Sequence, residues 1–134
     1  MEIHDLGHVI KRLQHRHHRT ADAKLIEAGT TLAQWDALRA IGRCPGASAH
    51  QLAVMTFQTD QSFGQLASRL IAAELVERKS GRGRAFEHEL TLKGQATLEC
   101  GSEVTRAVLH ASFAPLDASE KATLYALLMK VIDS

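Results

Sequence analysis

Residues 59–94 decide the fold, and they read TDQSFGQLASRLIAAELVERKSGRGRAFEHELTLKG. Apolar residues recur at helical spacing from Asp60 to Leu75, and Thr59 stands in front of them as a helix cap. After Leu75 the pattern becomes that of two short strands around a glycine-rich reversal at residues 80–84. This order predicts a helix that is followed directly by a β-hairpin with a basic tip.

Two capping boxes predict further helices in front of this segment. Thr31 with Gln34, and Ser48 with Gln51, have the spacing at which the first side chain accepts a backbone N–H and the second reaches back. The helix that starts at Ser48 is short. Together with the helix after Thr59, it predicts a helix-turn-helix.

Longer helices are predicted towards both ends of the chain. Residues 3–28 carry apolar side chains at helical spacing and are followed by Gly29, which suits the left-handed conformation at a helix end. Another helix follows the cap Thr91, and the last opens at the capping box of Asp117. The predicted order is four helices, a hairpin and two helices.

The predicted fold class is therefore mainly α with a small β-hairpin wing, a winged helix-turn-helix with N- and C-terminal dimerisation helices. Residues 29–94 form the expected DNA-binding winged-helix core, and residues 1–28 and 95–134 the dimerisation helices. The apolar stripes of the first and last helices are too extensive for a small core to cover, which favours a second copy of the chain as a partner.

Composition limits the possible functions. The chain has 134 residues, enough for one domain, and 45% of them are hydrophobic. Its net charge is only +1, so any affinity for nucleic acid must come from local clusters of charge. Two isolated cysteines, the lack of a signal peptide and the lack of a long apolar run predict a cytoplasmic protein without membrane contact.

The helix from Asp60 to Leu75 is predicted to read the major groove of double-stranded DNA, which is wide enough for one helix. Its solvent-facing residues Gln61, Ser62, Gln65, Ser68 and Arg69 carry hydrogen-bonding groups, and none of these five is acidic, whereas Asp60 at the helix start is. The basic hairpin is expected to hold phosphate or the minor groove. The candidate DNA-binding residues are Ser48, Gln51, Thr59, Gln61, Ser62, Gln65, Ser68, Arg69, Lys79, Arg82 and Arg84.

Several short patterns together indicate a family. They are Leu38 with Ile41, residues 48–52, Arg69 with Leu70, residues 75–78, and the segment LTLKG at residues 90–94. In this order they resemble the DNA-binding core of the MarR family (multiple antibiotic resistance regulators), and the outer helices extend the resemblance over nearly the whole chain. The resemblance implies a homodimeric repressor that binds a pseudo-palindromic operator and is released by a small aromatic or phenolic effector.

The hairpin departs from the family in one position. The family's wing commonly carries Asp-x-Arg before the second strand, and the matching residues here are Arg82, Gly83 and Arg84. The arginine is kept and the aspartate is missing, which affects the expected geometry of the wing rather than DNA binding.

An effector of this kind would lie between the dimerisation helices and the core. Candidate lining residues are His8, Arg12 and His15, with Trp35 on the second helix. Arg12 would pair with a carboxylate and Trp35 would stack on an aromatic ring. The competing interpretation, which we favour for each residue, is that Trp35 belongs to the core and the others to a solvated surface.

Other functions remain as alternatives. His4 and His8 have the i,i+4 spacing of metal ligands but lack the third and fourth ligands of a closed zinc site, so we expect no metal and no cofactor. Cys44 and Cys100 are expected to be buried structural thiols rather than redox sensors. The alternatives are a redox- or metal-responsive regulator and a protein–protein adaptor.

Enzymatic activity is not expected. The sequence lacks the glycine-rich phosphate and dinucleotide fingerprints, the serine nucleophile motif and the helical zinc-protease motif. A thiol hydrolase would need a local signature around a cysteine that is also missing. Salt dependence separates a DNA-binding protein from an adaptor, because phosphate contacts weaken steeply as salt rises.

Overall fold

The computed structural model describes residues 1–80 and 86–134. Within them the chain forms six helices and one antiparallel pair of strands, in the predicted order. The winged helix-turn-helix fold class is confirmed. The bounds are α1 Ile3–Glu27, α2 Leu32–Arg43, α3 Ala49–Met55, α4 Asp60–Ala72, β1 Val76–Ser80, β2 Phe86–Leu90, α5 Leu92–Phe113 and α6 Ala118–Ile132.

The predicted helix starts are confirmed because each rests on a local hydrogen bond. Thr31 Oγ1 accepts from the backbone N–H of Gln34 at 3.1 Å, and the Gln34 side chain accepts from Thr31 N–H at 3.2 Å. Ser48 and Gln51 form the same reciprocal pair at the start of α3. Gly29 ends α1 with φ +96°, the left-handed conformation expected there.

One helix end differs from the prediction. The fourth helix ends at Ala72 and does not extend to Leu75. Glu74 adopts φ +62°, so the chain turns away from the helix axis before Leu75. Leu75 then leads into β1 of the wing.

The core lies between the helix-turn-helix and the hairpin. Its fully buried side chains are aliphatic except for one aromatic ring, as the low aromatic content predicts. Because α4 contributes one face to this core, its opposite face is held outward on a rigid support. The largest of these side chains in the core are Phe63, Leu38, Leu52, Leu70 and Val76.

The junction between wing and α5 is fixed by Thr91 and Gly94. Thr91 Oγ1 accepts from Gly94 N–H at 3.0 Å and donates to Glu74 O at 2.7 Å, and Thr91 N–H donates to Leu75 O at 3.1 Å. Gly94 is packed so closely on Leu75 that a β-carbon there would overlap the Leu75 carbonyl oxygen. The LTLKG segment thus ties the end of α4 to the hairpin.

The outer helices leave apolar surface uncovered. Within the described part of the chain, α6 has no buried residue, although Leu127, Leu128 and Val131 lie along it. The first half of α1 is likewise exposed, including Leu6 and Ile10. Among residues 1–80 and 86–134, the structure contains no helix that is both long and apolar enough to cross a membrane.

The second half of α1 packs against α5. His17 Nε2 lies 2.6 Å from Ser112 Oγ, and its ring meets Phe113 edge-on at a centroid distance of 5.3 Å. Burial, and next the charge of Arg16, lower the pKa of His17. His17 therefore lies on the face of α1 that packs against α5.

Candidate nucleic-acid interface

The outer face of α4 presents a row of free side chains. Gln61, Gln65 and Arg69 are four residues apart and therefore lie on one line along the helix. All three are exposed, and none has a hydrogen-bond or ion-pair partner among the described residues. Their amide and guanidinium groups are free to bind the edges of bases.

The hydroxyl groups on the same helix are already engaged. Thr59 Oγ1 caps α4 by accepting from Ser62 N–H at 3.1 Å, and Ser62 Oγ donates to Gln58 Oε1 at 3.3 Å. Ser68 Oγ donates to Gly64 O at 3.0 Å. These groups help to hold the helix, so the capacity for base contacts lies mainly in the amide and arginine row.

A side-chain hydrogen bond links α3 to the start of α4. His50 Nδ1 lies 2.8 Å from Asp60 Oδ1, and both side chains are well exposed. This contact occupies the acidic group at the start of α4. At the start of α3, the side-chain oxygens of Ser48 and Gln51 each accept a backbone hydrogen bond in the capping box. The side-chain amide N–H groups of Gln51 are left free.

The two strands at the base of the wing carry less free positive charge than the linear sequence indicates. Lys79 Nζ lies 2.7 Å from Glu89 Oε2, and this hydrogen bond, together with the charges of Glu89 and Glu77, raises the pKa of Lys79. The pairing register places Lys79 opposite Glu87. Arg82 and Arg84 lie outside the described residues, so their predicted role stays a prediction.

His88 supports the wing from inside. It is 5% exposed, and its Nδ1 has no hydrogen-bond partner in the described part of the structure. The ring meets Phe63 of α4 edge-on at 6.3 Å. Burial, and next the charge of Arg78, lower the pKa of His88, so a neutral imidazole joins the wing to α4.

A cavity of about 490 Å³ lies between α2 and the second half of α5. Trp35 and Phe113 give it aromatic walls, and Arg39, Arg106 and Lys121 give it positive charge. The Arg39 guanidinium carbon lies 5.5 Å from the centroid of the Trp35 ring. This combination of rings and cations suits an aromatic carboxylate.

The four effector-binding residues predicted from the sequence do not line a common cavity within one chain. Trp35 lines the cavity and is also a core residue, with Nε1 donating to Ser102 Oγ at 3.2 Å. His8 and Arg12 are exposed on α1, and His15 lines a different groove along that helix. The cations that accompany Trp35 come from α2, α5 and the start of α6, which sequence spacing alone does not reveal.

The expectation of buried thiols is wrong. Cys100 is exposed on α5, and Cys44 at the end of α2 is only partly buried. Cys100 directly precedes the buried Gly101, so it lies to one side of the face that α5 buries. No group of three or more potential metal ligands occurs among residues 1–80 and 86–134.

One exposed aromatic residue next to this surface was not predicted. Phe57, in the turn before α4, is 97% exposed and has φ +57°. A bulky residue in the usual place of a turn glycine is the signal that would have identified it.

Comparison with known proteins adds to this geometry. A family model described as MarR family matches residues 28–85, which span the helix-turn-helix and the start of the wing. A solved MarR family protein of Mycobacterium tuberculosis, in complex with p-aminosalicylic acid, is 27% identical over 94% of this chain and 97% of its own, with a TM-score of 0.79. The chain is thus similar to MarR family proteins in sequence over its winged core and in fold over nearly its whole length. Among curated protein sequences, none matches it.

Two further solved structures are similar to this chain over nearly its whole length. The same M. tuberculosis protein in complex with DNA is 26% identical, covers 94% of this chain and 96% of its own, and has a TM-score of 0.79. The apo form of Escherichia coli MarR is 25% identical, covers 94% and 96%, and has a TM-score of 0.82. The match therefore includes the outer helices as well as the winged core.

Proposed function

We propose that this protein is a homodimeric transcription repressor. It binds a pseudo-palindromic operator in double-stranded DNA and leaves it when a small aromatic acid binds. The observation that carries the proposal is the free row Gln61, Gln65 and Arg69 on the outer face of α4. A rigid helix with such a row next to a basic hairpin is the arrangement that enters the major groove.

The proposed division of labour along the chain follows the exposed surfaces. Residues 29–94 form the DNA-binding core, and residues 1–28 and 95–134 form the dimer. Support comes from α6, which is apolar and has no buried residue within the described structure of one chain. A 15-residue helix in this state gains little stability alone, and a second copy would cover its apolar side chains.

Contacts to the DNA backbone are assigned to the wing and to α3. Arg82 and Arg84, which stand between β1 and β2 in the sequence, would add positive charge to the wing, and Lys79 would join them when it leaves Glu89. An exposed ion pair of this kind is weak, at about 0–1 kcal/mol, so phosphate replaces it easily. The DNA complex of the related M. tuberculosis protein supports this assignment.

The effector is assigned to the cavity beside Trp35. Arg39 or Arg106 would pair with the carboxylate, and Trp35 or Phe113 would contact the ring. The complex of the M. tuberculosis relative with p-aminosalicylic acid supports an aromatic acid as ligand. Because the cavity touches α2, α5 and α6, an occupant would change the position of the core relative to the dimer helices.

The test compares Gln65→Ala and Arg84→Ala with the wild type on a selected and a random duplex, across a salt series. Arg84→Ala should weaken both complexes about equally and reduce the salt slope by about 0.9. Gln65→Ala should weaken the selected complex more than the random one, by about 1–3 kcal/mol. Gln95→Ala, an exposed glutamine on α5, is the matched control.

Three results would contradict the proposal. The first is equal loss in the Gln95 control, and the second is an Arg84→Ala protein with unchanged binding at every salt concentration. The third concerns repression. With the selected duplex placed at a promoter, reporter output should fall when the protein is present and return when salicylate is added, and unchanged output would refute the repressor assignment.

A further inference from the structure

The backbone of Phe57 is strained for its residue type. Its φ of +57° lies in the left-handed region, which glycine adopts readily and an aromatic residue seldom does. The turn is held in place by Phe57 N–H donating to Val54 O at 3.1 Å and Gln58 N–H donating to Ala53 O at 2.9 Å. The chain therefore keeps an unfavourable conformation in which the ring projects outward.

Packing within one chain does not account for this ring. It is 97% exposed, so it contributes almost nothing to the core. A strained residue that does not stabilise its own fold indicates a role in binding. Phe57 is also not part of the apolar groove beside it, whose walls include Cys44, Pro45 and Val54.

Phe57 lies close in the sequence to the start of α4, the proposed recognition helix. Phe57 precedes the cap Thr59 by two residues and Gln61 by four. The N-terminal residues of a recognition helix are the ones that contact base edges. Phe57 therefore lies just before the N-terminal end of α4, the end at which the row Gln61, Gln65 and Arg69 begins.

We infer that Phe57 extends this row and packs its ring against the C5-methyl group of a thymine in the major groove. The inference rests on the proposed function. The occupant follows from chemistry, because the thymine methyl is the apolar group that bases display in the major groove. Phe57 is then a specificity residue that recognises thymine through an apolar contact, at a position that the helix itself does not reach.

The experiment replaces thymines of the selected duplex by deoxyuridine, one position at a time, and measures the affinity of wild type and Phe57→Gly. Removing a buried methyl should weaken wild-type binding about fourfold at one position in each half-site. Phe57→Gly should bind the unmodified duplex about tenfold more weakly and lose that sensitivity. Its melting temperature should rise, because glycine accepts the positive φ.

Glu74→Gly is the matched control. Glu74 has φ +62° at the other end of α4, so this variant relieves similar strain far from Phe57. It should keep the uracil sensitivity of the wild type. The inference is overturned if Phe57→Gly retains that sensitivity, or if the wild type shows none. A wild type without salt-sensitive DNA binding refutes the proposed function instead.

Discussion

Replacing Gly94 by alanine tests the account of the wing junction. The added β-carbon would overlap the Leu75 carbonyl oxygen and lie 3.0 Å from the Leu75 carbonyl carbon, and both groups are backbone. The same oxygen accepts the 3.1 Å hydrogen bond from Thr91 N–H. Losing that bond costs about 1 kcal/mol, and the forced backbone shift about 1–3 kcal/mol more, so Gly94→Ala should destabilise by about 2–4 kcal/mol.

The assay is urea unfolding at one fixed protein concentration, since dimerisation makes apparent stability depend on concentration. Gly64→Ala is the control, because a β-carbon at Gly64 has no heavy atom within 4 Å among those considered around it. That variant should gain up to about 1 kcal/mol from helix propensity. A Gly94→Ala protein within about 0.5 kcal/mol of the wild type would refute the reasoning.

Three other variants test the cavity, the buried histidine and the wing. In Gly101→Ala, the new β-carbon overlaps the indole ring of Trp35, which is the single tryptophan of the chain. The fluorescence emission of Trp35 should therefore shift, and salicylate should bind about tenfold more weakly. Unchanged fluorescence would contradict this. Because the pKa of His88 is lowered from 6.5, the unfolded chain takes up a proton below that pH that the folded chain does not, and the unfolding free energy should fall as pH drops below 6.5. In His88→Phe the urea midpoint should lose part of this acid dependence, and an unaltered profile would count against it. Glu89→Gln frees Lys79 and should bind random and selected duplex more tightly, because no ion pair has to break before Lys79 contacts phosphate, whereas weaker binding would show that the ion pair is needed.

Features that depend on a few neighbouring residues were predictable from the sequence. The capping boxes at Thr31 and Ser48 mark the starts of α2 and α3, because both partners of each hydrogen bond lie within four residues. The change from helical to strand spacing after Leu75 located the hairpin for the same reason. The error at the end of α4 arose because Glu74, rather than a glycine, takes the left-handed conformation.

Features that depend on residues distant in the chain were not predictable. The Lys79–Glu89 pair needs the strand register, so the linear sequence overstated the positive charge at the base of the wing. The cavity beside Trp35 is lined by cations from α2, α5 and α6. The effector residues predicted from the sequence, apart from Trp35, all lie on α1. The exposure of Cys100 likewise follows from how α5 is rotated against its neighbours.

The most direct test of the central claim is a titration of the purified protein against random duplex DNA and a pool enriched by selection, at two salt concentrations. The account predicts tight, salt-sensitive binding and enrichment of a pseudo-palindrome with half-sites about one helical turn apart. Absence of binding at low salt would contradict it and leave the winged helix as a protein-binding module.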